Sequence, residues 1–230
     1  MAEDRNEEVR ALKASAKSAR ADADWEFAID ELDRAVELLV DQLPGATGRA
    51  LAELASELAD SYGMIGGIER RWGLSLAGEE RQRHLEDSVD AYDRGFSHEQ
   101  DLDPSVASTY NRINRLVGRV LLNPHVLDDD TTPEFVEELG TAHEILVEQL
   151  RSARVKDPWG YCDLGLIRVL RGTADALPTY HELDRLRPPK FVYESALATL
   201  EPLSEVASEL RPDLPTIVAN LQHAARYATG

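Results

Sequence analysis

The sequence predicts an all-α protein, an α-solenoid of about five helix pairs forming a single domain over 1–230. Three observations carry that expectation. Ala, Leu, Glu, Asp and Arg dominate the chain and most of them favour helix, while aromatic residues make up only 6%. Runs of alternating Val, Ile, Thr and Tyr, the mark of half-buried strands, are missing. Apolar residues instead recur at the spacing of one helix face, in segments divided by short Pro, Gly and Asp breaks. At 230 residues the chain is long enough for one sizeable core or a short array of stacked pairs.

The elements follow in order. Residues 5–21 place Val9, Leu12, Ala16 and Ala19 on one face. After a turn at 22–24, residues 25–43 form the partner, with Asp24 as its cap and Ala28, Leu32 and Ala35 on its buried side. Pro44-Gly45 ends this pair. A third helix over 49–65 carries Leu51, Leu54, Leu58, Tyr62 and Ile65, and Gly63, Gly66 and Gly67 loosen its end. The stretch 66–80 then reads as an insertion. A fourth helix over 79–96 uses Leu85, Val89, Tyr92 and Phe96. Asp103 and Pro104 open the fifth, which runs to about Leu122 and ends at Asn123-Pro124. An acidic loop, Asp128 to Asp130, precedes a sixth helix opened by Thr132-Pro133 and running to Leu150. Asp157-Pro158 opens the seventh, to Gly172; 174–186 gives the eighth; Pro188-Pro189 opens a ninth, to about Leu210; Pro212 and Pro215 frame a tenth that ends at Tyr227. No single pair can bury its own apolar stripe, so the pairs must stack.

Residues 24–39, DWEFAIDELDRAVELL, carry a resemblance. They look like the second helix of a tetratricopeptide repeat, usually G-D-Y-x-x-A-I-x-x-Y-x-x-A. The segment SVDAYDRG matches the same pattern, with Ser88, Tyr92 and Gly95 at its small, aromatic and small positions. Pro189, Phe191, Tyr193, Glu194, Ser195 and Leu197, with Tyr110, Asn111 and Asn114 upstream, resemble the TPR-like TRAFs-binding domain found in apoptosis-signal-regulating kinases and in bacterial proteins. Ala196 stands where that pattern has Thr, and the repeat period here is nearer 40–50 residues than 34. The resemblance implies a protein–protein interaction scaffold, in signalling or stress response, and not an enzyme.

The formal net charge of −18 repels nucleic acid and anionic membranes. No apolar run approaches the ~18–20 residues of a membrane helix, and MAEDRNEEVR has no apolar core for a secretory signal. Cys162 is the lone cysteine, which excludes an internal disulfide and fits the reducing cytoplasm.

The candidate site is basic. Arg112, Arg115 and Arg119 share a face of the fifth helix, flanked by Asn111 and Asn114. Arg70 and Arg71 follow the third helix, and Arg168 and Arg171 belong to the seventh. In tetratricopeptide arrays the first helix of each pair lines a concave groove, and these arginines fall on such helices. The expectation is a groove that holds carboxylates of an acidic peptide or chain terminus. Two alternatives stand beside it: a small-molecule or nucleotide sensor using the same arginines on phosphate, and plain ion pairing with neighbouring helices. Self-association of repeat ends into a homo-oligomer is also open.

The residues suggest no metal or cofactor. None of His84, His98, His125, His143, His181 and His223 follows a Glu at three residues, and no H-E-x-x-H occurs, so all read as solvated surface histidines. Cys162 reads as a packing residue. No nucleophile elbow or phosphate loop is present.

Overall fold

A computed structural model of the chain describes residues 2–100, 102, 108–128 and 132–228. Among them are ten α-helices, one short 3₁₀ turn and no strand. The helices fall into two compact units, 1–118 and 119–230.

The first unit holds α1 (Ala2–Ala21), α2 (Trp25–Val40), α3 (Gly48–Ser75), α4 (Gly78–Glu99) and most of α5 (Tyr110–Leu122). Successive helices pack as neighbours: α1 on α2, α2 on α3, α3 on α4. The expected stripes are for the most part the buried ones, but Leu51, expected on the stripe of the third helix, is exposed near the start of α3. Val9, Leu12 and Ala16 of α1 meet Ala28, Leu32, Ala35 and Leu39 of α2, and Leu58, Ile65 and Ile68 of α3 join the same core. Ala28 and Ala35 are small where the neighbouring helix comes in, as a tightly crossed pair requires. Lys13 is buried as well, with its ammonium 2.6 Å from Glu57 Oε2 and 2.8 Å from Asp60 Oδ2. Pairing of this kind offsets part of the cost of taking that charge out of water.

The third helix departs from expectation. It does not stop at the glycines; it continues through Gly63, Gly66 and Gly67 to Ser75, so most of the expected insertion is helix. Glycine usually costs a helix about 1 kcal/mol relative to alanine. Here that cost is offset by close approach. A Cβ on Gly66 would lie 2.9 Å from the ring of Tyr92, which is fully buried on α4. Ser88, one turn earlier, donates to the Gly66 carbonyl at 2.7 Å. Gly95 fits the side chain of Asn111 in the same way, at 2.6 Å. The small–aromatic–small pattern at 88, 92 and 95 is therefore a packing pattern against α3 and α5.

The caps differ in part. Asp24 stands at the start of α2 with ψ of 74° and makes no side-chain cap bond. That ψ lies outside the extended geometry that aims a carboxylate at the first free N–H groups. Thr132 precedes the sixth helix, but its hydroxyl donates back to the Val126 carbonyl at 2.6 Å. Asp157 behaves as expected and accepts from the Trp159 N–H at 3.0 Å. The expected cap at Asp103 and opening at Pro104 lie outside the described residues, as do Asp129 and Asp130 of the acidic loop.

The second unit holds a 3₁₀ turn (Pro124–Leu127), α6 (Pro133–Arg151), α7 (Pro158–Leu170), α8 (Ala176–Arg185), α9 (Lys190–Ala207) and α10 (Leu214–Tyr227). Helix α6 packs on α7, α7 on α8, and α9 on α10. Arg211 fastens the connection before α10, donating to the carbonyls of Leu170 at 2.8 Å and Leu127 at 3.2 Å. A cavity of about 670 Å³ beside it is lined by Leu127, Val169, Ala176, Leu214 and Ile217. No helix among the described residues is long and apolar enough to cross a membrane.

Candidate functional site

The arginines singled out in the sequence meet different fates. Arg70 is inside α3 and buried; it donates to Asn114 Oδ1 at 2.6 Å and lies 6.0 Å over the Tyr92 ring. Asn114 in turn donates to the Tyr110 carbonyl at 2.8 Å. Asn111 is buried, and its amide nitrogen donates at 2.9 Å to both the Ala59 carbonyl and Glu99 Oε1. These three side chains fasten α5 to α3 and α4.

On the outer part of α5, Arg112 and Arg115 both stack on Phe96, at 4.6 and 4.3 Å from its centroid. Arg115 also holds Asp93 at 2.5 Å. Burial, then the charge of Arg115, lower the Arg112 pKa, while Glu99 acts the other way. In the second unit, Arg119 lies 4.9 Å over Phe135 and 3.6 Å from Glu138. Arg168 bonds Thr179 at 2.6 Å and pairs with Asp175 at 3.0 Å. Arg171 is exposed at the edge of the 670 Å³ cavity.

Arg71 differs from the others. Among the described residues, no carboxylate pairs with it, and its neighbours in charge are Arg20 and Arg70. Burial first, then those two cations, lower its pKa. It lines a cavity of about 600 Å³ in the first unit, together with Arg20, Gly63, Gly67, Tyr110 and Asn111. Gly67 forms a bare patch in that wall: a Cβ there would lie 3.5 Å from the Tyr110 hydroxyl and 3.9 Å from Arg71 Nη1. Tyr110 is 45% exposed. Glu57 and Asp60 also line the cavity, held toward Lys13. Arg20 was not singled out in the sequence. It is in the last turn of α1, and only the packing of α1 near α3 brings it to Arg71.

Glu99 also lines this cavity. The residue is 5% exposed, and its carboxylate accepts from the Asn111 backbone N–H at the start of α5 at 3.3 Å. Burial pushes its pKa up to about 7, against the hydrogen bonds from Asn111 and Arg112 that favour the ionised form.

A second polar cluster joins α3 to α4. His84 is buried, contrary to the expectation of a solvated surface histidine. It faces α3 where Gly73 leaves room for it, 3.1 Å from that residue's missing Cβ, and Trp72 covers its ring at 3.9 Å. Its Nδ1 lies 2.6 Å from Glu69 Oε2 and its Nε2 lies 3.0 Å from Arg83 Nη2. Burial raises the Glu69 pKa, and His84 pulls it the other way. Asp87 completes a group of three whose ligand atoms lie within 4.8 Å of one another. Sequence spacing missed this group because its third member comes from another helix, in a stretch read as an insertion.

Cys162 is buried, and burial raises its thiol pKa well above the usual range. That environment suppresses the thiolate a nucleophile needs. In comparison with known proteins, no family model matches the chain and no curated protein matches it.

Proposed function

We propose that this protein is a cytoplasmic recognition scaffold, a solenoid of tetratricopeptide-like helix pairs that holds an acidic peptide or chain terminus of a partner protein. The anionic group sits between Arg20 and Arg71, against Gly67 and the Tyr110 hydroxyl. The observation that carries this reading is Arg71: a guanidinium beside other cations, on a cavity wall, with no carboxylate partner among the described residues. Its five donors suit a carboxylate arriving from outside. Arg115, Arg119 and Arg168 already hold carboxylates of this chain and are structural in this account.

The same pair of arginines could face phosphate, the chemistry of a nucleotide sensor. Glu57 and Asp60, which also line the cavity, argue against a polyanion, which they would repel. A terminus with one or two carboxylates and backbone N–H groups suits this mixed lining of cations and carboxylates.

Gly67→Leu fills the cavity without changing any charge. Probing an array of peptides with free acidic C-termini, the unaltered protein should retain a subset and Gly67→Leu should lose it. Gly67→Ala, whose Cβ meets only ordinary contacts, serves as the folded control. Retention by Gly67→Leu equal to that of the unaltered protein would exclude the cavity as the binding place.

A further inference from the structure

We infer that Glu69, His84 and Asp87 form a binding site for one divalent first-row transition ion, of the Zn²⁺ or Mn²⁺ class, bridging α3 and α4.

The donor set is one imidazole and two carboxylates, which suits such ions better than thiolate-seeking or purely oxygen-seeking ones. His84 and Asp87 are three residues apart on α4 and so share a face, and Glu69 reaches them from the facing helix α3. Both contributing helices are fixed by close packing at Gly66 and Gly73. Glu69 and His84 are buried, whereas Asp87 is exposed. The ion would therefore rest on two rigid donors and one adjustable one, and solvent could fill the remaining positions.

Distances allow it with small movement. Donors at about 2.1 Å from a tetrahedral ion stand roughly 3.4 Å from one another. The Glu69–His84 pair, now at 2.6 Å, opens slightly, and Asp87, whose ligand atom lies within 4.8 Å, turns inward. The hydrogen count also closes. Arg83 can only donate, so His84 Nε2 accepts from it and Nδ1 carries the ring hydrogen toward Glu69. When the ion takes Nδ1, that hydrogen is carried on Nε2 instead. The imidazole stays neutral, and the exposed Arg83 side chain turns out to solvent.

A chain with net charge −18 gathers divalent cations diffusely, so the test must separate that atmosphere from a built site. Chelator-treated full-length protein would be titrated with Co²⁺ and, separately, Zn²⁺. The site predicts visible cobalt absorption that saturates at one equivalent, is displaced by Zn²⁺, and is accompanied by a change in tryptophan emission that Trp72→Phe removes. Asp87→Asn, at an exposed position, should weaken binding ~10-fold or more, and Asp90→Asn, also exposed on α4, should leave it unchanged. His84→Gln should abolish the cobalt bands; the Asp87 variant keeps the test decisive if His84→Gln does not fold. Absence of saturable bands up to millimolar Co²⁺, or equal effects of Asp87→Asn and Asp90→Asn, would overturn the inference.

Discussion

Replacing Gly66 by alanine should destabilise the first unit, although alanine is the better helix former. The propensity gain is about 1 kcal/mol. Against it stands the ring of Tyr92, whose atoms would lie 2.9 to 3.0 Å from the new Cβ. Carbon atoms are comfortable at ~3.5–4.0 Å, so the ring or the helix must move by about 0.6 Å or more. The ring has nowhere to go: Tyr92 is fully buried, and Ser88 ties α4 to the Gly66 carbonyl beside it. Overpacking of this kind costs about 1–3 kcal/mol, which leaves a net loss of up to about 2 kcal/mol in Gly66→Ala. Gly140 is the comparison. It lies inside α6 with nothing within 4 Å of a built Cβ, so Gly140→Ala should stabilise by about 0.5–1 kcal/mol. Urea unfolding followed by circular dichroism reads both. A double variant with Tyr92→Leu should relieve most of the Gly66→Ala penalty, because the obstacle is the ring. Stabilisation by Gly66→Ala equal to that of Gly140→Ala would refute the close approach of α3 and α4.

Two further outcomes follow from buried groups. Glu99 holds its proton more tightly in the folded chain, at about 7, than in the unfolded chain, at about 4.5. The unfolded state then binds fewer protons between those values, so stability falls as pH rises from about 4.5 through 7, by up to ~3 kcal/mol for that shift. Glu99→Gln should flatten that slope relative to the unaltered protein in denaturant melts across the window; an unchanged slope would place the titration elsewhere. Cys162 should react with a thiol-specific disulfide reagent far more slowly in the native chain than in denaturant, since burial both covers the sulfur and suppresses its thiolate. Equal rates would mean the α7 face is open.

The fold was largely legible because the buried stripes repeat at helical spacing. Leu32, Leu58 and Tyr92 are each on the face the pattern assigned. Helix starts at Pro133 and Pro158 were equally plain, since proline suits the first turn and breaks what precedes it. Gly63, Gly66 and Gly67 misled because local propensity makes three glycines look like an end. Tertiary contact with Tyr92 and Asn111 decided otherwise. The site was legible only in kind. An arginine-rich stripe at 112, 115 and 119 is visible in sequence, but whether each arginine meets a carboxylate depends on Asp93 and Glu138. The converse holds for Arg71 and Arg20, which sequence separates by fifty residues and packing brings to one cavity. His84 read as a surface residue because nothing local signals that Glu69 and Trp72 enclose it.

One titration reads whether Arg71 and its cavity receive a carboxylate. A fluorescein-labelled alanine–aspartate peptide with a free C-terminal carboxylate would be titrated by anisotropy against the unaltered chain, Arg71→Gln and Arg115→Gln. A charge-assisted contact contributes about 1.5–3 kcal/mol, so Arg71→Gln should weaken binding roughly 10- to 100-fold. Arg115, already occupied with Asp93, should be replaceable with less than about a twofold change. Equal affinity of Arg71→Gln and the unaltered chain, with a loss in Arg115→Gln, would contradict the assignment and return the binding surface to the outer face of α5.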